Sequence, residues 1–114
     1  MESILTSIKK MLGIQEEYTH FDDEIIMNIN TVFMDLRLLG VGPESGFAIT
    51  DKSDAWTDFI GDLTTIEGVK TYTYLKVRLV FDPPQSSTVI NEYNKRISEL
   101  EWKLNVSVDS KPTA

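Results

Sequence analysis

The residues best suited to chemistry lie beside the single histidine of the chain. His20 precedes Asp22 and Asp23 by two and three positions, and an imidazole beside carboxylates can bind a metal ion or transfer protons. A hard cation needs several converging oxygens, however, and this segment has neither an Asp-x-Asp-x-Asp-Gly loop nor a second histidine. The same acids are favourable at a helix N-terminus, where they face the positive end of the dipole. We therefore expect a helix start here and no metal site.

Other patterns that would indicate catalysis are missing from the sequence. The chain has no cysteine, which excludes disulfides, thiolate zinc sites and cysteine nucleophiles. It also lacks the Gly-x-Ser-x-Gly, Gly-x-Gly-x-x-Gly and Walker motifs, so neither a serine nucleophile nor a phosphate cradle has sequence support. We predict no catalytic residue, no cofactor and no metal, and a function other than that of an enzyme.

Aromatic and basic side chains alternate in one segment, formed by Tyr72, Tyr74, Lys76 and Arg78. Such a pattern can stack on single-stranded nucleic acid. The chain as a whole is acidic, with 11 Lys+Arg against 18 Asp+Glu and a formal net charge of −7, whereas binding to a phosphate backbone needs a surplus of cations. Packing in the core accounts for these aromatics more simply, and we predict no specific binding of nucleic acid.

Helical periodicity dominates the rest of the chain. Its 114 residues, 41% of them hydrophobic, suffice for one globular domain. Apolar residues recur at steps of three and four, which predicts helices over residues 2–12, 22–39, 54–60, 65–81 and 87–104. Residues 72–81 also favour β-structure, so a strand is an alternative there. We favour a helix because the apolar run is long and follows a capping threonine. The prediction is an all-α bundle of four to five helices.

Two segments lack a helical pattern. Residues 41–54 are rich in Gly, Pro, Ser and Asp, which predicts a long loop. The polar C-terminus predicts an extended tail from Asn105, so we divide the chain into one domain (1–106) and a flexible tail (107–114). The amphipathic first helix could lie on a membrane surface, but its two lysines are few for that role, and no apolar run is long enough to span a bilayer. We predict no contact with a membrane.

Short motifs occur along the chain in a specific order. The two most specific are Phe81-Asp82-Pro83-Pro84 after the aromatic helix and Glu101-Trp102-Lys103-Leu104-Asn105 at the end of the last helix. The others are Met11–Ile14, Phe21-Asp22, Leu39–Pro43, Gly46–Ile49 and Val69–Leu79. In this order and spacing, residues 1–106 resemble the small head-to-tail connector, or adaptor, proteins of long-tailed bacteriophages and prophages.

The resemblance implies a structural virion protein of the head–tail junction, made in the cytoplasm of the bacterial host. Such proteins form a closed ring of about twelve copies beneath the portal, joined by a repeated contact. The ring extends the channel through which DNA passes without specific binding, and it docks the stopper or the next tail-side connector. The implied partners are therefore the portal, the stopper or tail-side connector, and further copies of the chain.

Contacts in such an assembly are expected from loops, helix faces and termini, and large aromatic residues are enriched at interfaces. The candidate contact residues are Phe47, Ile49, Trp56, Trp102, Val106 and Val108. For the two tryptophans, burial in the core is an equal alternative. Apart from the resemblance, the same features also fit a small cellular helical module that binds a protein partner without catalysis.

Overall fold

The structure, a computed structural model, describes residues 2–61 and 63–109 of the chain. Within these residues it contains five helices and no β-strand. The helices are α1 (Ile4–Met11), α2 (Asp22–Leu38), α3 (Trp56–Phe59), α4 (Leu63–Phe81) and α5 (Ser87–Asp109). The predicted all-α bundle is therefore confirmed, and each predicted helix is present with ends that differ by a few residues.

The central helix is α4, against which the other four helices pack. Its buried residues Val69, Tyr72, Thr73 and Val77 point in several directions around the helix axis, as expected for a helix with neighbours on several sides. The hydroxyl of Thr73 donates to the carbonyl of Val69 (2.8 Å), so its polar atom is satisfied within the helix. The strand alternative for this segment is wrong, because packing overrides the local β preference of these residues.

The last helix, α5, runs antiparallel to α4. Tyr72 pairs with Glu101 and Arg78 pairs with Tyr93, so residues later in one helix meet residues earlier in the other. The chain reverses direction at the Asp82–Pro84 elbow, directly after the last residue of α4. Because a residue before proline is disfavoured in helical conformation, this ending agrees with the prediction from sequence.

The first helix, α1, is fixed to the start of α3. Ser3 caps α1 by accepting the N–H of Thr6 (3.2 Å), as serine commonly does at a helix N-terminus, and it forms an antiparallel bridge with Ala55. The indole N–H of Trp56 donates to the hydroxyl of Ser7 (2.8 Å). The bridge and the indole hydrogen bond join residues about fifty positions apart in sequence, so α1 packs within the protein.

The long loop between α2 and α3 is held against α2. The side chain of Asn30 donates to the carbonyl of Ile49 (3.0 Å) and accepts its N–H (2.8 Å). Arg37 Nε donates to a carbonyl at the start of the loop (2.9 Å). Gly42 has a φ of +90°, and a Cβ at this position would collide with the ring of Phe59. The loop is therefore part of the packed domain.

The end of α5 differs from the prediction. The spacing of apolar residues predicts an end at Leu104, but the helix continues to Asp109. Leu104 is buried, and Asn105 Nδ2 donates to the carbonyl of Leu39 (3.2 Å). This long-range contact supports the last turns, which local composition does not reveal. The predicted extended tail is therefore wrong as far as Asp109, and the predicted domain boundary falls inside the helix. Residues 110–114 lie outside the described residues.

Candidate interaction surfaces

Three of the six predicted contact residues belong to the core. Ile49 and Trp56 are each 2% exposed, and Phe47 is half-buried with its ring against those of Phe33 (5.7 Å between centroids) and Phe59 (5.4 Å). The hydrogen bonds of the loop and of α3 turn these side chains inward. Ile49 and Trp56 are therefore core residues and do not offer a surface to a partner, which corrects their place among the candidate contacts.

The other predicted contact residues lie on α5. Trp102 is 67% exposed and Val106 is 40% exposed, and both project away from the buried side chains of Ile97 and Leu104, since successive helical residues turn by about 100°. The side chain of Val108 lies outside the part of the chain that the structure describes. Trp102 and Val106 thus remain candidates for contact with a partner.

The exposed surface of α5 has two sides of different chemistry. One side carries a row of exposed uncharged residues, which we call the α5 strip: Asn91, Ser98, Trp102, Asn105 and Val106. The exposed Lys95 lies on the same side, since successive helical residues turn by about 100°. The other side borders α4 and forms a charged groove of about 410 Å³. Its lining residues are Glu67, Gly68, Thr71, Glu92, Lys95, Arg96, Glu99, Leu100 and Lys103. Trp102 and Lys103, neighbours in sequence, therefore lie on different sides.

A second exposed apolar surface lies on α2. Met27, Met34 and Leu38 are between 69 and 87% exposed, and Thr31 completes the row. We call these four residues the α2 strip. Their spacing of four, three and four residues places them on one side of the helix over about 16 Å, opposite the buried Ile25 and Ile29. The helix over residues 22–39 is predicted from the sequence, but this exposed row was not singled out, although it is visible in the spacing.

A chain of polar contacts joins the three long helices and sets the relative positions of the two strips. Lys76 Nζ on α4 pairs with Asp35 on α2 (2.6 Å) and donates to the hydroxyl of Tyr72 (3.2 Å). The Tyr72 hydroxyl in turn donates to Glu101 on α5 (2.8 Å). Burial, together with the hydrogen bond to Glu101, raises the pKa of Tyr72 well above its ordinary value. The phenol therefore stays protonated and keeps donating to the carboxylate.

The other aromatic residues of the alternating segment are engaged within the protein. Arg78 Nη1 donates to the hydroxyls of Tyr74 (2.8 Å) and Tyr93 (3.0 Å), and its guanidinium lies over the Tyr93 ring. Tyr72 is fully buried. Core packing thus explains the alternation of aromatic and basic residues, and these rings do not form an open platform for bases.

The residues near His20 do not converge on a site. The imidazole contacts the rings of Tyr18 and Phe21, whereas Asp22 pairs with the ammonium of Lys9 (2.8 Å). Among residues 2–61 and 63–109, no group of three or more histidine, aspartate or glutamate side chains is placed to hold a metal ion. As the sequence predicts, these acids lie in the first turn of α2.

Lys9 is a feature that the sequence analysis missed. It is 2% exposed, and its ammonium donates to the carbonyls of Glu16 (2.9 Å) and Tyr18 (2.8 Å) in addition to the ion pair with Asp22. One buried cation thus binds α1, the following loop and the start of α2 together. Local spacing indicates only that Lys9 lies in the last turn of α1; the three acceptors become neighbours through the tertiary fold.

The described residues thus form a filled core and leave apolar residues exposed on α2 and α5. The model of the family described as "Phage connector protein" matches residues 4–111. The chain belongs to the phage connector protein family. No curated protein and no solved structure shows significant similarity to it. The resemblance noted in the sequence is thereby confirmed, and this connector protein is a structural component of the phage particle.

Within the described residues, no helix of the connector combines the length and the apolar character required to cross a bilayer.

Proposed function

We propose that this connector protein forms a ring beneath the portal at the head–tail junction, extends the DNA channel and docks the stopper or the next tail-side connector. The observation that carries the proposal is the division of its large apolar residues. One set fills a closed core, and among the exposed apolar residues Met27, Met34, Leu38, Trp102 and Val106 lie in the α2 and α5 strips on two long helices. Contiguous apolar residues left exposed on a folded domain are typical of protein–protein contacts.

The proposed role is assembly without a catalytic step. The basic groups that could act in chemistry already have partners within the protein. Lys9 pairs with Asp22, Lys76 pairs with Asp35, and Arg78 donates to two tyrosine hydroxyls. These interactions stabilise a rigid subunit, and rigidity favours the repeated contacts of a ring.

The acidic balance of the chain supports the channel part of the proposal. With a formal net charge of −7, the surface repels the phosphate backbone, so DNA can slide through the bore without condensing on its wall. A ring whose bore is lined mainly by lysine and arginine would contradict this part.

The test is electron microscopy of particles assembled with and without the connector protein. We expect the chain between the portal and the tail, and we expect particles that lack it to carry heads without tails. Trp102→Glu should reproduce this defect. Lys103→Gln is a matched control, because it changes the net charge by the same amount on the charged side of α5, and it should assemble normally. Normal tails on particles without the chain would refute the proposal.

A further inference from the structure

We propose that α5 is a hinged arm, which opens from α4 as one unit while α1 to α4, together called the body, stay folded. The inference goes beyond the proposed function, since it concerns a motion within one copy of the chain and does not depend on the ring. It follows from the unequal packing of α5 and of the body.

The packing of α5 is sparse for the length of the helix. α5 has 23 residues, yet between residues 87 and 107 only Ile97 and Leu104 are buried, and Ile90, Tyr93 and Leu100 are half-buried. The shorter α2, with 17 residues, has five buried side chains. Because burial of apolar surface is the main source of stability, α5 is held less strongly than its length suggests.

The contacts of α5 are also directed at a single neighbour. In the part of the chain that the structure describes, α4 is the one helix on which α5 packs extensively. The hydroxyl of Tyr72 donates to Glu101 (2.8 Å), and Arg78 donates to the hydroxyl of Tyr93 (3.0 Å). A third hydrogen bond, from Asn105, reaches the carbonyl that follows α2 (3.2 Å). Water replaces such partners at a small net cost, so these bonds orient α5 more than they hold it.

The body is closed by contacts that do not involve α5. α1 packs on α2 and α4, and α3 packs on α4. The indole of Trp56 on α3 donates to Ser7 on α1 (2.8 Å), and the rings of Phe33 and Phe59 stack at 4.6 Å between centroids. All of these contacts remain when α5 moves away, so opening of the arm does not require the body to unfold.

The segment between α4 and α5 supplies the hinge. Pro83 and Pro84 lack the N–H that would continue the hydrogen bonds of α4, so the two helices stay separate elements. Gln85 and Ser86 follow, both exposed and outside either helix. Rotation of the backbone at these two residues breaks few packed contacts, as is usual for hinge positions. Opening uncovers the side of α4 that faces α5 and makes it accessible to a partner.

The test is amide hydrogen exchange of the full chain, followed residue by residue by NMR. An amide in the body exchanges when the body unfolds, whereas an amide in α5 exchanges as soon as the arm opens. After correction for intrinsic rates, we expect the slowest amides of α5 to exchange at least about 100-fold faster than the slowest amides of α2.

Two variants that each remove one methyl group distinguish an arm from general instability. Ile97→Val lies on α5, and its lost contact is absent from both the open and the unfolded states. It should therefore accelerate exchange in α5 and in α2 by the same factor, about 2- to 10-fold. Ile8→Val lies on α1, and its contact persists when the arm is open. It should accelerate exchange in α2 by about that factor and leave α5 unchanged.

Three outcomes would overturn the inference. Wild-type α5 amides as slow as those of α2 would show that no separate opening occurs. Equal acceleration of α5 and α2 by Ile8→Val would show that α5 opens only with the body. Acceleration by Ile97→Val confined to the adjacent turn would indicate local fraying in place of a single unit. Circular dichroism checks that both variants are folded, which we expect because each loses a single methyl group.

Discussion

The buried contacts of α1 and α3 and the outer faces of α2 and α5 use the same kinds of side chain for different purposes. Around α1 and α3, Trp56 is buried and its indole N–H donates to the hydroxyl of Ser7, and the ammonium of Lys9 has three oxygen partners. On the outer face of α5, Trp102 is largely exposed. Residue type alone therefore does not show whether a side chain stabilises the fold or is available for contact with a partner. The position of the side chain in the fold decides which of the two it does.

The largest expected effect comes from the buried tryptophan. Trp56→Ala should lower the free energy of unfolding by about 3–5 kcal/mol, because it opens a cavity in the core and removes the partner of Ser7. Urea denaturation measures the change, and Trp102→Ala is the matched control. Equal losses for the two variants would contradict the contrast between the two regions.

The second effect concerns the buried ammonium. Lys9→Ala should destabilise the fold by about 2–3 kcal/mol, because Asp22 and two carbonyls lose their partner; the partial exposure of Asp22 keeps the loss below that of a fully buried pair. Thermal unfolding measures it. The neighbouring Lys10 is exposed, so Lys10→Ala should change stability by less than about 0.5 kcal/mol. A harmless Lys9→Ala would show that the three contacts contribute no stability.

A smaller effect is expected at the polar contacts that join α2, α4 and α5. Tyr72→Phe removes the hydroxyl that joins Glu101 to Lys76. It should lower the free energy of unfolding by about 1–2 kcal/mol. Urea denaturation at neutral pH measures the loss.

The same pair of proteins has a predictable pH dependence. Folding raises the pKa of Tyr72 above the ordinary tyrosine value of 10.0. The stabilisation that Tyr72 gives the folded state is therefore fully present below pH 10. It declines as the pH rises further, because the unfolded chain loses the tyrosine proton before the folded chain does. The stability difference between wild type and Tyr72→Phe should therefore narrow in alkaline solution. A difference that stays constant above pH 10 would argue against a raised pKa in the folded state.

The smallest effect on stability is expected at the exposed tryptophan. Trp102→Ala should change the free energy of unfolding by no more than about 0.5 kcal/mol, because its side chain is largely hydrated in the monomer. A large loss of stability would place Trp102 with the core residues and remove the contrast from which the assembly proposal starts.

The helices could be predicted from the sequence because their buried residues recur at regular helical spacing. The core row of α2 and the Asp82–Pro84 elbow follow from local spacing and from backbone restrictions, and the structure agrees with both. The end of α5 was missed because the contact that supports it, between Asn105 and Leu39, joins residues distant in sequence.

The contact residues were harder to predict than the helices. Composition identifies Trp56 and Trp102 equally well as interface candidates, and only the tertiary fold separates the buried one from the exposed one. The α2 strip was within reach, because its spacing is as regular as that of the core row. It was missed because one apolar row already accounts for the packing of a helix on the core. A second apolar row indicates a contact surface only when the fold shows that this row is exposed.

The polar chain through Asp35, Lys76, Tyr72 and Glu101 has a geometric consequence beyond the subunit. Its four side chains tie α2 and α5 to α4, so a substitution among them can shift one outer helix relative to the other. In the ring proposed above, such a shift would change the rotation from one copy to the next, and small changes add up around a closed ring.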